Sequence, residues 1–189
     1  TVTSKKLLKL QTSNISMEVT PRSESRILLA SSFTVVASCV ASAHLALYDC
    51  LAAASSVLFC SVNYWRRPVF GWRRNVDMVN IFTGLTYQLN ISRKVDAVSR
   101  LPYMAFTACG LVCFALGYKF SGRKGTLIHS CGHVFGNVAN AFLYPGLVKV
   151  RGLEPPPVDA AELTICALVL AAVLDVWFLG GWPPRWWPS

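Results

Sequence analysis

The chain has 189 residues, 53% hydrophobic and only 14% charged, with a mean hydropathy of +0.44. A soluble domain carries roughly 25% charged residues. This composition therefore predicts an all-α, polytopic integral membrane protein with short connections and no separate soluble catalytic module. The formal charge of +9 would suit nucleic acid, but the basic residues fall between apolar segments. Anionic phospholipid and membrane topology account for that placement, so nucleic acid is not expected as a partner. The seven cysteines show no paired spacing and read as small reduced hydrophobes. The chain begins on Thr1, which predicts processing or truncation ahead of it.

Residues 1–26 form a basic tail in which KKLLKL is either a short amphipathic turn or a solvated stretch. Residues 27–180 are expected to form the bundle. Ile27–Trp65 is too long for one span of about 20 residues, so it divides near Ala43–Asp49 into helices at 27–43 and 45–65. On the second, Asp49, Ala53, Ser56, Cys60 and Asn63 share a small, polar stripe. The connection WRRPVFGWRRNVD carries Pro68 and Gly71, which break helix. It holds Arg66, Arg67, Arg73 and Arg74, with Trp65 and Trp72 at headgroup level, and is the expected lipid-binding site. A third helix at 76–91 places Asp77, Asn80, Gly84 and Gln88 on one narrow face. A fourth is expected at 101–118, a fifth at 126–148, and a sixth at 160–180 after the stiff RGLEPPPVD turn. Residues 181–189 form a Trp/Pro-rich tail that cannot be helical.

Six spans put both termini on one side of the membrane. That side then holds thirteen Lys/Arg, from residues 1–26, 66–74, 119–124 and Arg185. The other holds five: Arg93, Lys94, Arg100, Lys149 and Arg151. The bias places the termini in cytosol, matrix or stroma.

The fifth helix organises the rest. Gly125, His129, Gly132, His133, Gly136, Asn137 and Asn140 share a stripe roughly 140° wide, with Val134, Phe135, Val138 and Phe142 opposite. In lipid the small, polar face turns inward, and Gly132 and Gly136 are the expected helix-packing residues. Both histidines should then face the second and third helices. His44 is assigned no role beyond packing. Ionisable groups within a membrane are expensive and often functional. His, Cys and Asp are also zinc ligands.

Ser56-x-x-x-Cys60, Asp77 and His129-x-x-x-His133 together resemble the pattern of the CREST superfamily, the alkaline-ceramidase and adiponectin-receptor-like membrane hydrolases. The resemblance implies a zinc-dependent lipid hydrolase or amidase. Cys60, His129 and His133 would hold zinc, Asp77 would orient or deprotonate water, and Ser56 would assist the oxyanion. The pattern departs where Cys60 stands at the family's first histidine, and where six helices stand for seven. The main expectation is therefore non-catalytic, with no cofactor. It is an accessory subunit of a large energy-converting complex, a respiratory-chain complex or ATP synthase, that packs against other membrane subunits and binds anionic lipid such as cardiolipin. The mitochondrial inner membrane is the expected site, with thylakoid and endoplasmic reticulum as alternatives.

Overall fold

The computed structural model describes residues 20–154, and every regular element among them is a helix. In chain order these are α1 (Arg22–Ser32), α2 (Val35–His44), α3 (Tyr48–Trp65), α4 (Trp72–Ser92), α5 (Ala97–Lys119) and α6 (Gly122–Arg151). Phe33 and Thr34 keep helical dihedrals, so α1 and α2 continue as one 23-residue rod, Arg22–His44. Five rods thus stand where five of the six spans were expected. The sixth, at 160–180, and the tail at 181–189 lie outside the described residues, as does most of the basic tail. Two rods, Arg22–His44 and α5, are long and apolar enough to cross a membrane.

Local chemistry explains the breaks. Between α2 and α3, Ala46 takes a positive φ of 54° and the Leu47 amide bonds back to Ser42, turning the chain within three residues. Gly71, at φ 145°, separates α3 from α4 in a conformation that L side chains rarely adopt. Asp96 caps α5 by accepting from the Ser99 amide at 2.9 Å. Gly152 ends α6 in the left-handed region, with the Leu153 amide bonded to Val148.

Side-chain bonds give the register. The α1–α2 rod runs parallel to α6, with Ser31 meeting His133 and Ser38 meeting Asn140, pairs 102 residues apart. Helices α3 and α4 are antiparallel, since Ser61 meets Asp77 and Ser56 meets Asn80. Helices α5 and α6 form an antiparallel hairpin that meets through glycine. A Cβ on Gly110 would lie 3.4 Å from the Gly132 carbonyl, and one on Gly117 only 2.8 Å from the His129 Cβ. Small residues let these backbones approach closely.

Two apolar cores result, one at each end of the bundle. Leu47, Cys50, Tyr103, Leu143 and Leu147 fill one end, and Leu28, Leu29, Tyr64 and Trp65 fill the other. The layer between them is polar. At the first end Arg151 makes a bidentate pair with Asp49, at 2.8 and 2.6 Å, and Tyr87 also donates to Asp49. Lys149 meets Asp96 there at 3.1 Å. The second end gathers basic residues from 22–26, 66–74 and 119–124. Much of α5 stays uncovered: only Tyr103 and Gly110 are buried, while Val98 is 82% and Leu101 66% exposed.

Candidate functional site

The polar layer opens onto a cleft of about 210 Å³ bounded by the α1–α2 rod, α3, α4, α5 and α6. Its apolar wall includes Val57, Met78, Leu85, Leu111 and Phe114. Its polar wall carries Ser61, Asp77, His129, His133, Asn137 and Asn140. Asp77 and both histidines therefore do face one space.

Each polar group is held by a specific partner. Asp77 is 2% exposed and accepts from the Ser61 hydroxyl at 2.6 Å. A buried carboxylate is costly without such a donor. His133 Nδ1 lies 2.8 Å from Ser31 Oγ, which also lies 3.0 Å from the Leu28 carbonyl. The hydroxyl has one proton, so when it donates to Leu28 it accepts from His133. Asn137 donates to Thr34 at 3.0 Å and to the His133 carbonyl at 2.7 Å, and accepts from Ser38. Asn140 also donates to Ser38, at 3.0 Å, and leaves its own Oδ1 without a protein partner among the described residues. The polar stripe of α6 is thus zipped to a serine–threonine stripe on the first rod.

His129 sits among rings instead. Trp65, Phe114, Tyr118 and His133 have ring centroids 5.5, 5.1, 5.8 and 5.2 Å from its own. That cage fills space around the imidazole and fixes its plane.

Several expectations need correction. The histidines, expected to face the second and third predicted helices, line the cleft together with α3 and α4. What was not expected is that His133 also bonds to Ser31 of the first rod and that His129 packs against Trp65. Ser56 donates to Ala53 or Asn80, at 2.8 and 3.1 Å, and neither Ser56 nor Cys60 lines the cleft. The α3 residue facing Asp77 is Ser61, because α3 buries the face of Cys50, Ala54, Ser61, Tyr64 and Trp65. The expected stripe through Ser56 and Cys60 is displaced from it by about 100°, one residue of helix. Among the described residues no three His, Cys, Asp or Glu side chains assemble as a metal site. The alternative set of Cys60, His129 and His133 is therefore not brought together.

Gly132 lies against α5, where a Cβ would stand 3.1 Å from the Gly110 carbonyl. Gly136 faces the cleft, and a Cβ there would meet nothing within 4 Å. The tighter contacts belong to Gly117, Gly125 and Gly146, outside the expected Gly132–Gly136 pair. Trp65, expected among headgroups, is 6% exposed and packs on Tyr64 at 4.5 Å. Trp72 is 66% exposed, with Arg73 over its ring at 5.6 Å, while Arg74 lies over Phe70 at 5.4 Å. Arg66 and Arg67 are exposed.

The partner stripe on the first rod was not singled out from the sequence, although Ser31, Thr34, Ser38 and Ser42 recur there at helical spacing. Compared with protein-family models, characterised proteins and solved structures, the chain matches none.

Proposed function

We propose that this chain is a non-catalytic, multi-pass membrane subunit whose bundle seats against other subunits and lipid of a larger assembly. The observation carrying this reading is the flank of α5. It is an apolar helix, yet Val98, Leu101, Met104, Leu111 and Val112 are exposed along it. Contiguous apolar surface on this scale favours a cover of acyl chains or protein. The interior agrees, since hydrogen-bonded small polar residues join helices within the bundle, as in membrane helix packing. An energy-converting complex of an organelle inner membrane, with the mitochondrion first, is the assembly proposed, and the basic end faces the matrix-like compartment by charge bias. The sixth span completes the proposed topology and returns the chain to that side.

The test has three steps. Alkaline carbonate should leave the chain in the membrane pellet. Mild-detergent extraction should recover it at stoichiometry with a large complex in the inner-membrane fraction. Protease protection should find both termini on one side. Carbonate release, or migration as a free monomer in mild detergent, would refute the respective half of the proposal.

A second reading, a zinc-dependent lipid hydrolase, is favoured by one observation: Asp77, His129 and His133 all line the cleft. Against it, Cys60 and Ser56 lie off that wall. Stoichiometric zinc in the purified chain, lost in a His129→Gln/His133→Gln variant, would promote this reading over the first.

A further inference from the structure

The basic end holds an arrangement that the packing of the bundle does not require. Three cations there lie over three aromatic rings: Arg73 over Trp72, Arg74 over Phe70 and Lys124 over Phe120, the last at 4.6 Å. The rings face outward, with Trp72 66%, Phe70 55% and Phe120 37% exposed. Two of these pairs come from the α3–α4 connection and the first turn of α4, and the third from the α5–α6 turn and the first turn of α6. Both segments stand at the same end of the bundle, because α3 and α5 arrive there and α4 and α6 depart from it.

We propose that these two segments form one platform for the headgroup layer of an anionic phospholipid leaflet. The proposal rests on the membrane reading above and adds a partner and a surface to it. A guanidinium stacked on one face of a ring keeps its in-plane N–H edge free, and that edge binds phosphate oxygens in pairs. Indole and phenyl rings beside it favour the zone between headgroup and acyl chain. Arg66 and Arg67, exposed at the end of α3, widen the surface.

Charge supports the same partner by contrast between the ends. The ion pairs Arg151–Asp49 and Lys149–Asp96 lie at the opposite end, where protein carboxylates neutralise two of the five cations. At the basic end, Glu24 accepts from Thr126 at 3.2 Å and so ties the first turn of α6 to α1. That bond sets the α5–α6 turn beside the start of the first rod.

The experiment uses the full chain purified in a neutral detergent, with dioleoylphosphatidylglycerol or dioleoylphosphatidylcholine added and retention read by native mass spectrometry. Wild type should retain the anionic lipid preferentially. Each basic residue near an anionic surface contributes roughly fivefold, so Arg66→Gln/Arg67→Gln should lower that preference by at least that factor. A Phe120→Ser/Lys124→Gln variant should lower it independently. Arg93→Gln/Lys94→Gln, at the other end, should not. Melting temperature accompanies each variant, and if one pair fails to fold the other decides.

Equal retention of the two lipids by wild type would overturn the proposal. So would an equal loss in the opposite-end variant. Displacement of the lipid by inorganic phosphate would show a free-anion site instead, and tighter binding of a single-stranded RNA oligomer would show a nucleic-acid surface. Release of the chain from membranes by carbonate would refute the membrane reading itself, whereas detergent dependence without lipid preference would refute only the platform.

Discussion

Replacing Gly125 by alanine tests how α5 and α6 are joined. A Cβ on Gly125 would stand 1.9 Å from the Phe120 carbonyl oxygen and 2.7 Å from that of Gly117, where ordinary contact begins at 3.4 Å. Both obstacles are backbone, so no side chain can swing aside. The turn would have to retreat by more than an ångström while the Phe120 amide is bonded to the Leu116 carbonyl at 3.0 Å. Overpacking costs about 1–3 kcal/mol, and this geometry belongs at or above the top of that range. Alanine recovers about 1 kcal/mol of helix propensity. The net loss is about 2 kcal/mol, or about 4–8 °C in melting temperature for a chain of this size. Gly136→Ala is the matched control. Its Cβ meets nothing within 4 Å, so the propensity gain stands alone and the melting temperature should rise by about 2–4 °C. Thermal unfolding of the detergent-purified variants, followed by circular dichroism, reads both shifts. If Gly125→Ala melts with wild type, or both variants shift alike, the glycine seam does not hold the hairpin.

Three further outcomes follow from the polar layer and its edges. Ser61→Ala removes the hydroxyl that donates to buried Asp77 and should cost about 1–3 kcal/mol, against about 0.5–1.5 for Ser56→Ala at its half-buried bond to Asn80; equal losses in denaturant titration would count against the register of α3. His129→Phe should be tolerated in its cage of rings, whereas His133→Phe leaves Ser31 facing an apolar edge and should be the less stable variant. Asp96 is held below the usual carboxylate range, first by the Ser99 amide and then by Lys149. A lowered folded value means that its contribution is present above the unfolded value of about 3.9 and fades as pH falls through the folded one. Amide protection in the first turn of α5, taken relative to intrinsic exchange at each pH, should therefore fall below about pH 4, and Asp96→Asn, which still caps but does not titrate, should flatten that dependence.

The order of helices and their breaks was legible because it rests on local chemistry. Apolar runs of spanning length, Pro68 with Gly71, and the turn before Tyr48 mark the ends of rods without reference to any partner. The polar stripe of α6 was legible for the same reason, since helical spacing alone places His129, His133, Asn137 and Asn140 on one side. What meets that stripe was not. Several rods carry small polar residues, and periodicity gives each an inward face without saying which neighbour it addresses. For α3 even the face was misjudged by one residue: Asp49 and Ser56 make the polar stripe in the sequence, but Asp49 is drawn to Arg151 at the end of the bundle. The buried face then runs through Ala54, Ser61 and Tyr64. One residue is about 100° of rotation, enough to turn Cys60 off the cleft wall and bring Ser61 onto it. Trp65 went the same way, from an expected headgroup anchor to a buried packing partner of His129. Sequence by itself determined the rods and the polarity of their sides; only tertiary structure decided their rotations and pairings, because these depend on complementary surfaces more than a hundred residues apart, as between Ser31 and His133.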